Sequence, residues 1–447
     1  MSNQEFLHRS LAAVWHPCTQ MKQHETLPLV PIARGEGVWL TDFEGKRYLD
    51  AVSSWWVNLF GHCNPRINAA LKDQLDQLEH VMLAGFTHQP VVELSERLSQ
   101  LSGLGHCFYG SDGASATEIA LKMSFHYWRN SGRLEKTRFV SLRNGYHGET
   151  VGALSVTDVA LFKDTYAPLL RESAQVPTPD WRYAEPGESA RDYALRCGAA
   201  LRAHLERHHQ ETAALILEPL VQGAAGMGMY DAEYLRRARA ICDEFEVHLI
   251  ADEIAVGFGR TGTMFAHQQA GIKPDFLCLS KGITGGYLPL SVVLTTDAVY
   301  QAFYHDDTAR GFLHSHSYTG NALACRAALA VLDIFEQDGV IAANRVKAAS
   351  FNDIAAPLRA HTRVRNFRNM GMIWAFEVAD AAPGFARKFF EEGLKRGLLL
   401  RPIGSTVYFM PPYVINEEEM RMLVSGTLEI LENLIEPQRR RGAEEKQ

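Results

Sequence analysis

The stretch from Ala214 to Gly286 carries three short apolar runs, and each run ends in polar or charged residues. The runs are Leu215-Ile216-Leu217-Glu218, His248-Leu249-Ile250-Ala251-Asp252-Glu253 and Phe276-Leu277-Cys278-Leu279-Ser280-Lys281-Gly282. Runs of this length, rich in branched apolar residues, predict buried strands. Between the first two runs, apolar residues recur at three- and four-residue spacing from Tyr234 to Phe245, which predicts a helix. This alternation predicts parallel strands joined by a crossover.

The ends of these strands are the first place to look for chemistry, because ligands of parallel sheets bind at the carboxyl ends of the strands. Asp252 and Lys281 follow the second and third runs. A lysine in such a place is partly desolvated, which lowers its pKa and makes the amine available as a nucleophile. A lone lysine is usually a surface residue at a strand edge, but a carboxylate at the end of a neighbouring strand favours a reactive pair.

A second candidate site follows the predicted strand His106–Tyr109. The segment Gly110-Ser111-Asp112-Gly113-Ala114-Ser115 leads directly into a helical pattern. A helix that starts at a glycine-rich turn presents backbone N–H groups and the positive end of its dipole, which suits a phosphate. The alternative is a turn whose small residues only allow close packing.

A third candidate is Tyr146, in the segment Asn144-Gly145-Tyr146-His147-Gly148 after the predicted strand Phe139–Leu142. An aromatic side chain between glycines at a strand end can stack on a flat ring, although an exposed turn tyrosine is the simpler interpretation. Pyridoxal phosphate requires a lysine for its aldehyde, an acid for its ring nitrogen, an anion site and a stacking aromatic. Lys281, Asp252, Gly113 with Ala114, and Tyr146 provide that set.

The overall composition excludes several classes of function. The chain has 447 residues and a net charge of −7, which gives no support to a nucleic-acid or anionic-membrane partner. No segment approaches the roughly 20 apolar residues of a membrane span, and the first residues do not resemble a signal peptide. The seven cysteines are scattered and odd in number, so we expect reduced thiols and a cytoplasmic location. No metal-binding spacing of histidines and cysteines is present, so we expect no metal site.

The remaining segments predict the domain organisation. A hairpin is expected between residues 37–42 and 46–50, and residues 176–192 are expected to form a polar surface loop. In Ser53-Ser54-Trp55-Trp56, neighbouring side chains on a strand would point to opposite faces, so the two tryptophans cannot share one core. Either one of them lines a cavity, or one lies in the core and the other at a subunit contact. After residue 335 the pattern is α+β. We therefore expect an N-terminal segment (1–60) in a small domain, a large cofactor domain (61–335) and a C-terminal small domain (336–447).

Several of these motifs resemble the class III aminotransferase family. The resemblance rests on Asn144–Gly148, Leu217-Glu218-Pro219, Val247–Gly262, Pro274-Asp275 and Ser280-Lys281-Gly282. It implies a fold-type I α/β transferase with a mostly parallel seven-stranded sheet in its large domain and a smaller α+β domain from both termini. It also implies a homodimer whose active sites lie at the subunit interface.

The resemblance assigns roles to individual residues. It implies that Lys281 attaches the cofactor covalently, that Asp252 pairs with the ring nitrogen, and that Tyr146 stacks on the ring. The backbone of Gly113 and Ala114 would hold the phosphate. The remaining residues implied at the site are Ser315, His316 and Ser317, which would reach the phosphate or the substrate from the other subunit, and Trp55, Arg401 and Cys18, which would contact the substrate.

Further motifs are similar to the branch of the family that serves biotin biosynthesis. They are Trp15-His16-Pro17, Ser53–Trp56, His80-Val81-Met82, Gly223–Met227, Arg401-Pro402 and Met410–Tyr413. A guanidinium suits a carboxylate, so Arg401 with the tryptophans favours a long apolar substrate with a terminal carboxylate, although Arg401 could instead form a structural ion pair.

Two departures from the family pattern leave the amino donor open. Cys18 stands where the pattern has a tyrosine that touches the substrate, and Glu149 stands where Asp is frequent. The default donor is adenosylmethionine, and lysine is the alternative. An ω-aminotransferase of diamines or ω-amino acids, and a catalytically silent cofactor-binding protein, are the competing functions. A dinucleotide dehydrogenase is disfavoured because no GxGxxG follows a first strand.

Overall fold

The computed structural model of the chain describes residues 2–27 and 29–434. Residues 435–447, which we assigned to the C-terminal domain, lie outside the described residues. The chain forms two compact units. The first contains Met1–Pro65, Lys347–Asn369 and Trp374–Gln447, and the second contains Arg66–Val346 and Met370–Ile373. The assignment of cofactor binding to residues 61–335 stays a prediction.

The helices and strands are numbered in chain order. The α-helices are α1 Asn3–Ala13, α2 Ser53–Trp56, α3 Pro65–Leu75, α4 Gln89–Ser102, α5 Gly113–Asn130, α6 Val151–Val156, α7 Ala160–Lys163, α8 Ala190–His208, α9 Glu233–Glu244, α10 Asp297–Gln301, α11 Ala322–Gln337, α12 Val340–Ile354, α13 Ala356–Ala360, α14 Phe385–Lys395 and α15 Glu417–Asn433. The strands are β1 Ile32–Glu36, β2 Trp39–Asp42, β3 Arg47–Asp50, β4 His106–Gly110, β5 Arg138–Leu142, β6 Ala174–Val176, β7 Thr212–Leu217, β8 Val221–Gln222, β9 Gly228–Met229, β10 His248–Asp252, β11 Phe276–Leu279, β12 Ser291–Thr295, β13 Val364–Met370, β14 Ile373–Val378, β15 Leu398–Leu399 and β16 Thr406–Phe409.

The second unit is built on a seven-stranded sheet in the order β4-β12-β11-β10-β7-β5-β6. β12 runs antiparallel to both of its neighbours, whereas β11, β10, β7, β5 and β6 are parallel to one another. Every residue of β7, β10, β11 and β12 is buried, as expected for strands covered on both faces. The predicted α/β fold with a mostly parallel seven-stranded sheet is confirmed.

Helix α5 packs its apolar face on this sheet. Ala116, Ile119, Ala120 and Met123 join the buried cluster that contains Ile216, Ile250, Cys278 and Val293 of the central strands. These side chains recur at three- and four-residue spacing, so one stripe of the helix faces the core. The start of α5, at Gly113, is thereby held beside the carboxyl ends of the strands.

The first unit contains two smaller sheets. One has the order β1-β2-β3-β15, in which β2 and β3 form the predicted antiparallel hairpin and β15 is parallel to β3. The other has the order β13-β14-β16. Its long helix α15 begins with a capping box, in which Asn416 accepts from the Glu419 N–H and the Glu419 side chain accepts from the Asn416 N–H.

Three local features differ from the sequence pattern. The loop and short-strand signals of residues 1–60 predict no helix there, but the first residues form helix α1, whose start is tied by the Asn3 side chain to Asp42. Ser53–Trp56 is a short turn of helix with positive φ values rather than a strand, so alternation does not apply to its tryptophans. The segment 176–192 lies at the surface from residue 181 onward, as predicted, but residues 176 and 178–180 are buried, and Asp180, 1% exposed, accepts a hydrogen bond from Arg182.

None of the helices in residues 2–27 and 29–434 combines the length and the apolar character that crossing a membrane requires. All seven cysteines lie within the described residues and none is in a disulfide.

Candidate active site

Three ionisable residues follow three adjacent strands at one edge of the seven-stranded sheet. β7 ends just before Glu218, β10 ends at Asp252, and β11 ends two residues before Lys281. The register pairs Ala251 with Leu217 on one side and Asp252 with Cys278 on the other. Because the three strands are parallel, their carboxyl ends meet at the same edge, as the sequence predicted.

Asp252 is held by a histidine that the sequence analysis did not single out. Its Oδ2 lies 2.7 Å from Nδ1 of His147, and its Oδ1 accepts a hydrogen bond of 3.1 Å from the Ile254 N–H. Both side chains are buried. The contact assigns a hydrogen to Nδ1 of His147, because a carboxylate can only accept. Nε2 of the same ring is buried and has no hydrogen-bond partner among residues 2–27 and 29–434.

The backbone of His147 is fixed on both sides by threonines. Its N–H donates to Oγ1 of Thr157 at 3.0 Å, and its carbonyl accepts from Oγ1 of Thr117 at 2.7 Å. Thr117 lies in the second turn of α5, so the helix that starts at Gly113 also fixes the residue that holds Asp252.

Lys281 starts a 3-10 turn with φ at 45°, in the left-handed region. Its side chain is only partly accessible to solvent, and the loss of water around the amine lowers its pKa below the ordinary value for lysine. The negative charges of Asp252 and Glu218 oppose this shift. A lowered pKa provides more of the neutral amine, the form that attacks an aldehyde and accepts a proton.

Glu218 is a second buried acid at this edge. Its Oε1 accepts from the Tyr146 N–H at 3.0 Å, and its Oε2 accepts from the Gly223 N–H at 2.9 Å. Burial raises the pKa of Glu218 to about 7. The positive charge of His147 and the two backbone hydrogen bonds act against that rise, and the negative charge of Asp252 adds to it.

The glycine-rich turn needs its glycine. A Cβ on Gly113 would lie 2.9 Å from Cγ2 of Ile254, closer than real Cβ contacts. Asp112 caps α5 by accepting from the N–H and the hydroxyl of Ser115 at 2.8 and 2.9 Å. The start of the helix is therefore pressed against the residue that follows Asp252 by two positions.

Ala114 packs against the loop that carries Tyr146. Gly148 has φ at +119°, and a Cβ there would lie 2.7 Å from Cβ of Ala114. The hydroxyl of Tyr146 donates to Oε1 of Glu149 at 2.9 Å, and its ring lies edge-on to Phe162 with centroids 5.4 Å apart. Gly113, Ala114, Tyr146 and Asp252 are thus connected through short contacts within the second unit.

The loop that contains Ser315, His316 and Ser317 is anchored at other points of the same unit. His80 donates to the carbonyl of Ser317 at 2.9 Å, and the ring nitrogens Nε2 of His314 and His316 are 3.2 Å apart. Ser315 and Ser317 are exposed.

Trp55, Arg401 and Cys18 lie in the first unit. The guanidinium carbon of Arg401 is 4.6 Å from the centroid of the Trp55 ring, the distance of a cation–π contact. Trp55 is 43% exposed, whereas Trp56 is buried and donates from its indole N–H to the Tyr408 hydroxyl at 3.0 Å. Cys18 is exposed and has φ at 53°.

The residues of the second unit fit pyridoxal phosphate. A buried carboxylate suits a ring nitrogen, a partly buried lysine of lowered pKa suits an aldehyde, and the turn at Gly113, which has no room for a side chain, suits close approach of a phosphate. A cavity of about 600 Å³ elsewhere in this unit is lined by residues such as Leu121, Phe125 and Phe312, and by none of the predicted site residues. In the described part of the chain, no group of three or more histidine, cysteine or acidic residues is arranged to hold a metal ion.

His147 and Glu218 are the two residues of this site whose roles were missed. Both stood in motifs used for the resemblance, and Glu218 ends its strand just as Asp252 does. That position at the end of an apolar run was the available signal for Glu218. No spacing in the sequence connects His147 to Asp252.

Comparisons with known proteins relate the whole chain to one family. The sequence model of the family described as Aminotransferase class-III matches residues 20–431. An adenosylmethionine-8-amino-7-oxononanoate aminotransferase from Helicobacter pylori is 48% identical, over 95% of this chain and 97% of that protein. A crystal structure of a protein of the same name from Methanocaldococcus jannaschii covers 97% of this chain and 99% of its own, at 36% identity and a TM-score of 0.90. An amine transaminase from an uncultivated Pseudomonas species, solved in a PLP-bound form, covers 94% and 98% at 33% identity and a TM-score of 0.88.

Proposed function

The chain belongs to the class III aminotransferases, and we propose that it transfers the amino group of S-adenosyl-L-methionine to 8-amino-7-oxononanoate, giving 7,8-diaminononanoate in biotin biosynthesis. The observation that carries the reaction type is Lys281. Its amine is partly buried, and the negative charges of Asp252 and Glu218 act on it. The substrates are supported by the names of the relatives, which reach 48% identity over nearly the whole chain.

The cofactor is pyridoxal phosphate, which supplies an aldehyde for covalent attachment and a ring that accepts electrons. Lys281 would hold the cofactor through Nζ. The same amine, once free, would move a proton at the substrate carbon as general base and acid. The lowered pKa of Lys281 favours this role, because a base works best when it is largely unprotonated at the working pH.

Asp252 holds a proton on the ring nitrogen, and His147 orients Asp252 by its hydrogen bond of 2.7 Å. The backbone N–H groups at Gly113 and Ala114 bind the phosphate at the start of α5, where the helix dipole favours an anion. Tyr146 stacks on the ring and excludes water from it. Its hydroxyl is oriented by Glu149.

Arg401 binds the carboxylate of 8-amino-7-oxononanoate, and Trp55 provides an apolar face for its chain. Their cation–π contact supports this pairing, because it presents a fixed guanidinium next to an exposed indole. Cys18 is the residue that we place at the donor, where a smaller side chain leaves more room than tyrosine. The donor is therefore the part of the proposal that most needs a direct test.

The active form is a homodimer in which Ser315, His316 and Ser317 reach the phosphate and substrate of the other subunit. The same loop carries two large exposed apolar side chains, Leu313 at 81% and Tyr318 at 67% exposure, which a second copy would cover. We place the enzyme in the cytoplasm, in keeping with seven unpaired cysteines.

A half-reaction assay tests the proposal. The purified protein is loaded with pyridoxal phosphate and mixed separately with adenosylmethionine, lysine and a simple diamine, while the visible absorbance of the cofactor is followed. We expect adenosylmethionine to bleach the absorbance, 8-amino-7-oxononanoate to restore it, and mass spectrometry to detect 7,8-diaminononanoate. Lys281→Ala is the control that should bind the cofactor without turnover.

The outcomes separate the alternatives. Bleaching by lysine but not by adenosylmethionine would replace the donor and keep the acceptor. Bleaching only by the diamine, with no restoration by the oxononanoate, would indicate another ω-aminotransferase. Absorbance that no donor changes would indicate a silent cofactor-binding protein.

A further inference from the structure

Glu218 has no role in the proposed chemistry, yet it is one of the most constrained side chains of the site. It is 5% exposed, and each carboxylate oxygen accepts one backbone hydrogen bond, from Tyr146 and from Gly223. Its own carbonyl accepts from the hydroxyl of Tyr230 at 2.5 Å. A buried carboxylate is costly, so a glutamate that serves only to join two loops is a poor solution for stability alone.

The bond to Tyr146 gives Glu218 a direct influence on the cofactor site. Tyr146 precedes His147, whose ring contacts Asp252, and its own ring is the proposed stacking surface. A shift of the Tyr146 backbone would therefore displace both the stacking ring and the histidine that orients Asp252.

The charge of Glu218 has a second effect. The ionisable groups that interact with its carboxylate are His147, Asp252, Lys281 and Tyr230. Among these, Lys281 is the group that must gain and lose a proton. The negative charges of Asp252 and of ionised Glu218 oppose the lowering of the Lys281 pKa by burial, and the pKa of Glu218, about 7, means that its share acts above neutral pH.

We propose that Glu218 is a positioning residue of the transamination, which fixes the Tyr146 backbone by one hydrogen bond and supplies buried negative charge that favours the protonated form of Lys281. This inference rests on the proposed function for the role of Lys281. The hydrogen-bonding role and the charge effect can be tested separately. The first depends on the length of the side chain, and the second depends on its ionisation.

The chain offers a matched control in Glu253. This residue is also fully buried and also accepts two backbone hydrogen bonds, from Ala266 at 2.5 Å and His267 at 2.8 Å. It follows Asp252 directly in sequence, but its carboxylate binds Nδ1 of His267 and is not among the charges that act on Lys281. Glu253→Gln therefore reproduces the loss of a buried charge without the proposed effect.

The experiment compares the wild type with Glu218→Gln, Glu218→Asp and Glu253→Gln, all as full-length protein. The first readout needs no turnover: the cofactor-loaded protein is titrated and the pH midpoint of its visible absorbance is recorded. A second such readout is the pH midpoint for chemical labelling of Lys281 after cofactor removal, located by peptide mass spectrometry. The third is kcat/KM in the half-reaction.

We expect Glu218→Gln to lower both midpoints, by up to about 1 pH unit, because a nearby negative charge raises a lysine pKa. Because a glutamine has one acceptor oxygen, Glu218→Gln can accept from only one of the Tyr146 and Gly223 N–H groups, and this loss of positioning should reduce kcat/KM about 10-fold. Glu218→Asp keeps the charge but is too short to reach both amides, so it should hold the midpoints near the wild-type value and still lose activity. Glu253→Gln should shift neither midpoint.

Equal midpoints in Glu218→Gln and the wild type would overturn the charge effect. If Glu253→Gln shifted the midpoints by the same amount, the shift would be a general consequence of losing a buried acid. That result would also overturn the charge effect. Full activity in Glu218→Asp would overturn the positioning role. Because the midpoints require no substrate, they stand even if the substrates turn out to differ from those proposed.

Discussion

Nδ1 of His147 lies 2.7 Å from Oδ2 of Asp252, and both side chains are buried at the carboxyl edge of the central sheet. The proposed role of Asp252, to hold a proton on the cofactor nitrogen, requires that its carboxylate is ionised and correctly oriented. The histidine meets the second requirement, since its backbone is fixed by Thr117 and Thr157. The pair therefore acts as one unit.

We predict that His147→Phe lowers kcat/KM by about 10- to 100-fold, because a hydrogen bond to a charged group contributes roughly 1.5–3 kcal/mol. His147→Asn should retain more activity, because its amide nitrogen can take the place of Nδ1. Steady-state kinetics and cofactor affinity check this, with melting temperatures to confirm folding. Equal activity in the two variants would contradict the role of the hydrogen bond.

Gly113→Ala should weaken the cofactor site. The added Cβ would lie 2.9 Å from Cγ2 of Ile254, whose N–H donates to Asp252, so the helix start or the acid must shift. We expect the dissociation constant for pyridoxal phosphate to rise about 10-fold, measured by absorbance titration of the protein freed of cofactor.

Two further variants make the test of Gly113 specific. Gly113→Ala combined with Ile254→Ala removes the contacting methyl group and should recover part of the affinity. Gly105→Ala is the control, because the nearest heavy atom to its added Cβ is 4.0 Å away. A loss in the control as large as in Gly113→Ala would show that the steric argument fails.

The candidate active site also shows which features can be predicted from the sequence and which cannot. Asp252 and Lys281 could be predicted because each follows a short apolar run, and parallel strands bring such ends together. The contact between His147 and Asp252 joins residues 105 positions apart, and it depends on two threonine hydrogen bonds that no periodic pattern encodes. The sequence pattern therefore locates the strand ends but does not show which side chains meet there.

The same distinction explains the errors in the first unit. Helix α1 buries none of its residues, so it lacks the apolar stripe from which a helix is predicted. Its position depends on contacts such as the one between Phe6 and Phe43, with ring centroids 4.6 Å apart. Ser53–Trp56 adopts positive φ values, supported by hydrogen bonds from Ser54 to Asp50. Such backbone strain is set by tertiary contacts rather than by local preference.

His248 should make the fold sensitive to acid. Burial lowers its pKa to about 4, whereas an unfolded histidine titrates near 6.5. Between these values the unfolded chain binds more protons, so the stabilising contribution of the neutral ring is complete above pH 6.5 and is lost as the pH falls towards 4. The full effect is about 3 kcal/mol.

We predict that His248→Phe flattens the dependence of the melting temperature on pH between 6.5 and 4. A phenyl ring keeps the packing against Trp128 and Phe276, and Ser124 retains a contact with the carbonyl of Ala213. His8→Gln, at an exposed histidine of α1, should leave the slope unchanged. If the melting temperature of His248→Phe depended on pH as steeply as that of the wild type, the acid sensitivity would arise from other groups.

Arg401 tests the acceptor end of the proposed reaction. Its guanidinium lies over the Trp55 ring at 4.6 Å, which fixes a positive charge beside an exposed apolar surface. Arg401→Ala should raise the KM for 8-amino-7-oxononanoate about 10- to 100-fold while leaving the KM for the amino donor almost unchanged, because a charge-assisted pair with a carboxylate is lost. Arg401→Lys should recover only part of the affinity for the acceptor, since a single ammonium cannot form the two parallel bonds of a guanidinium.

Arg396→Ala, which removes ion pairs to Glu392 and Glu429, is the matched control on the same unit and should alter neither KM. An equal rise for both substrates in Arg401→Ala would mean that this arginine supports the site as a whole rather than the carboxylate of the acceptor.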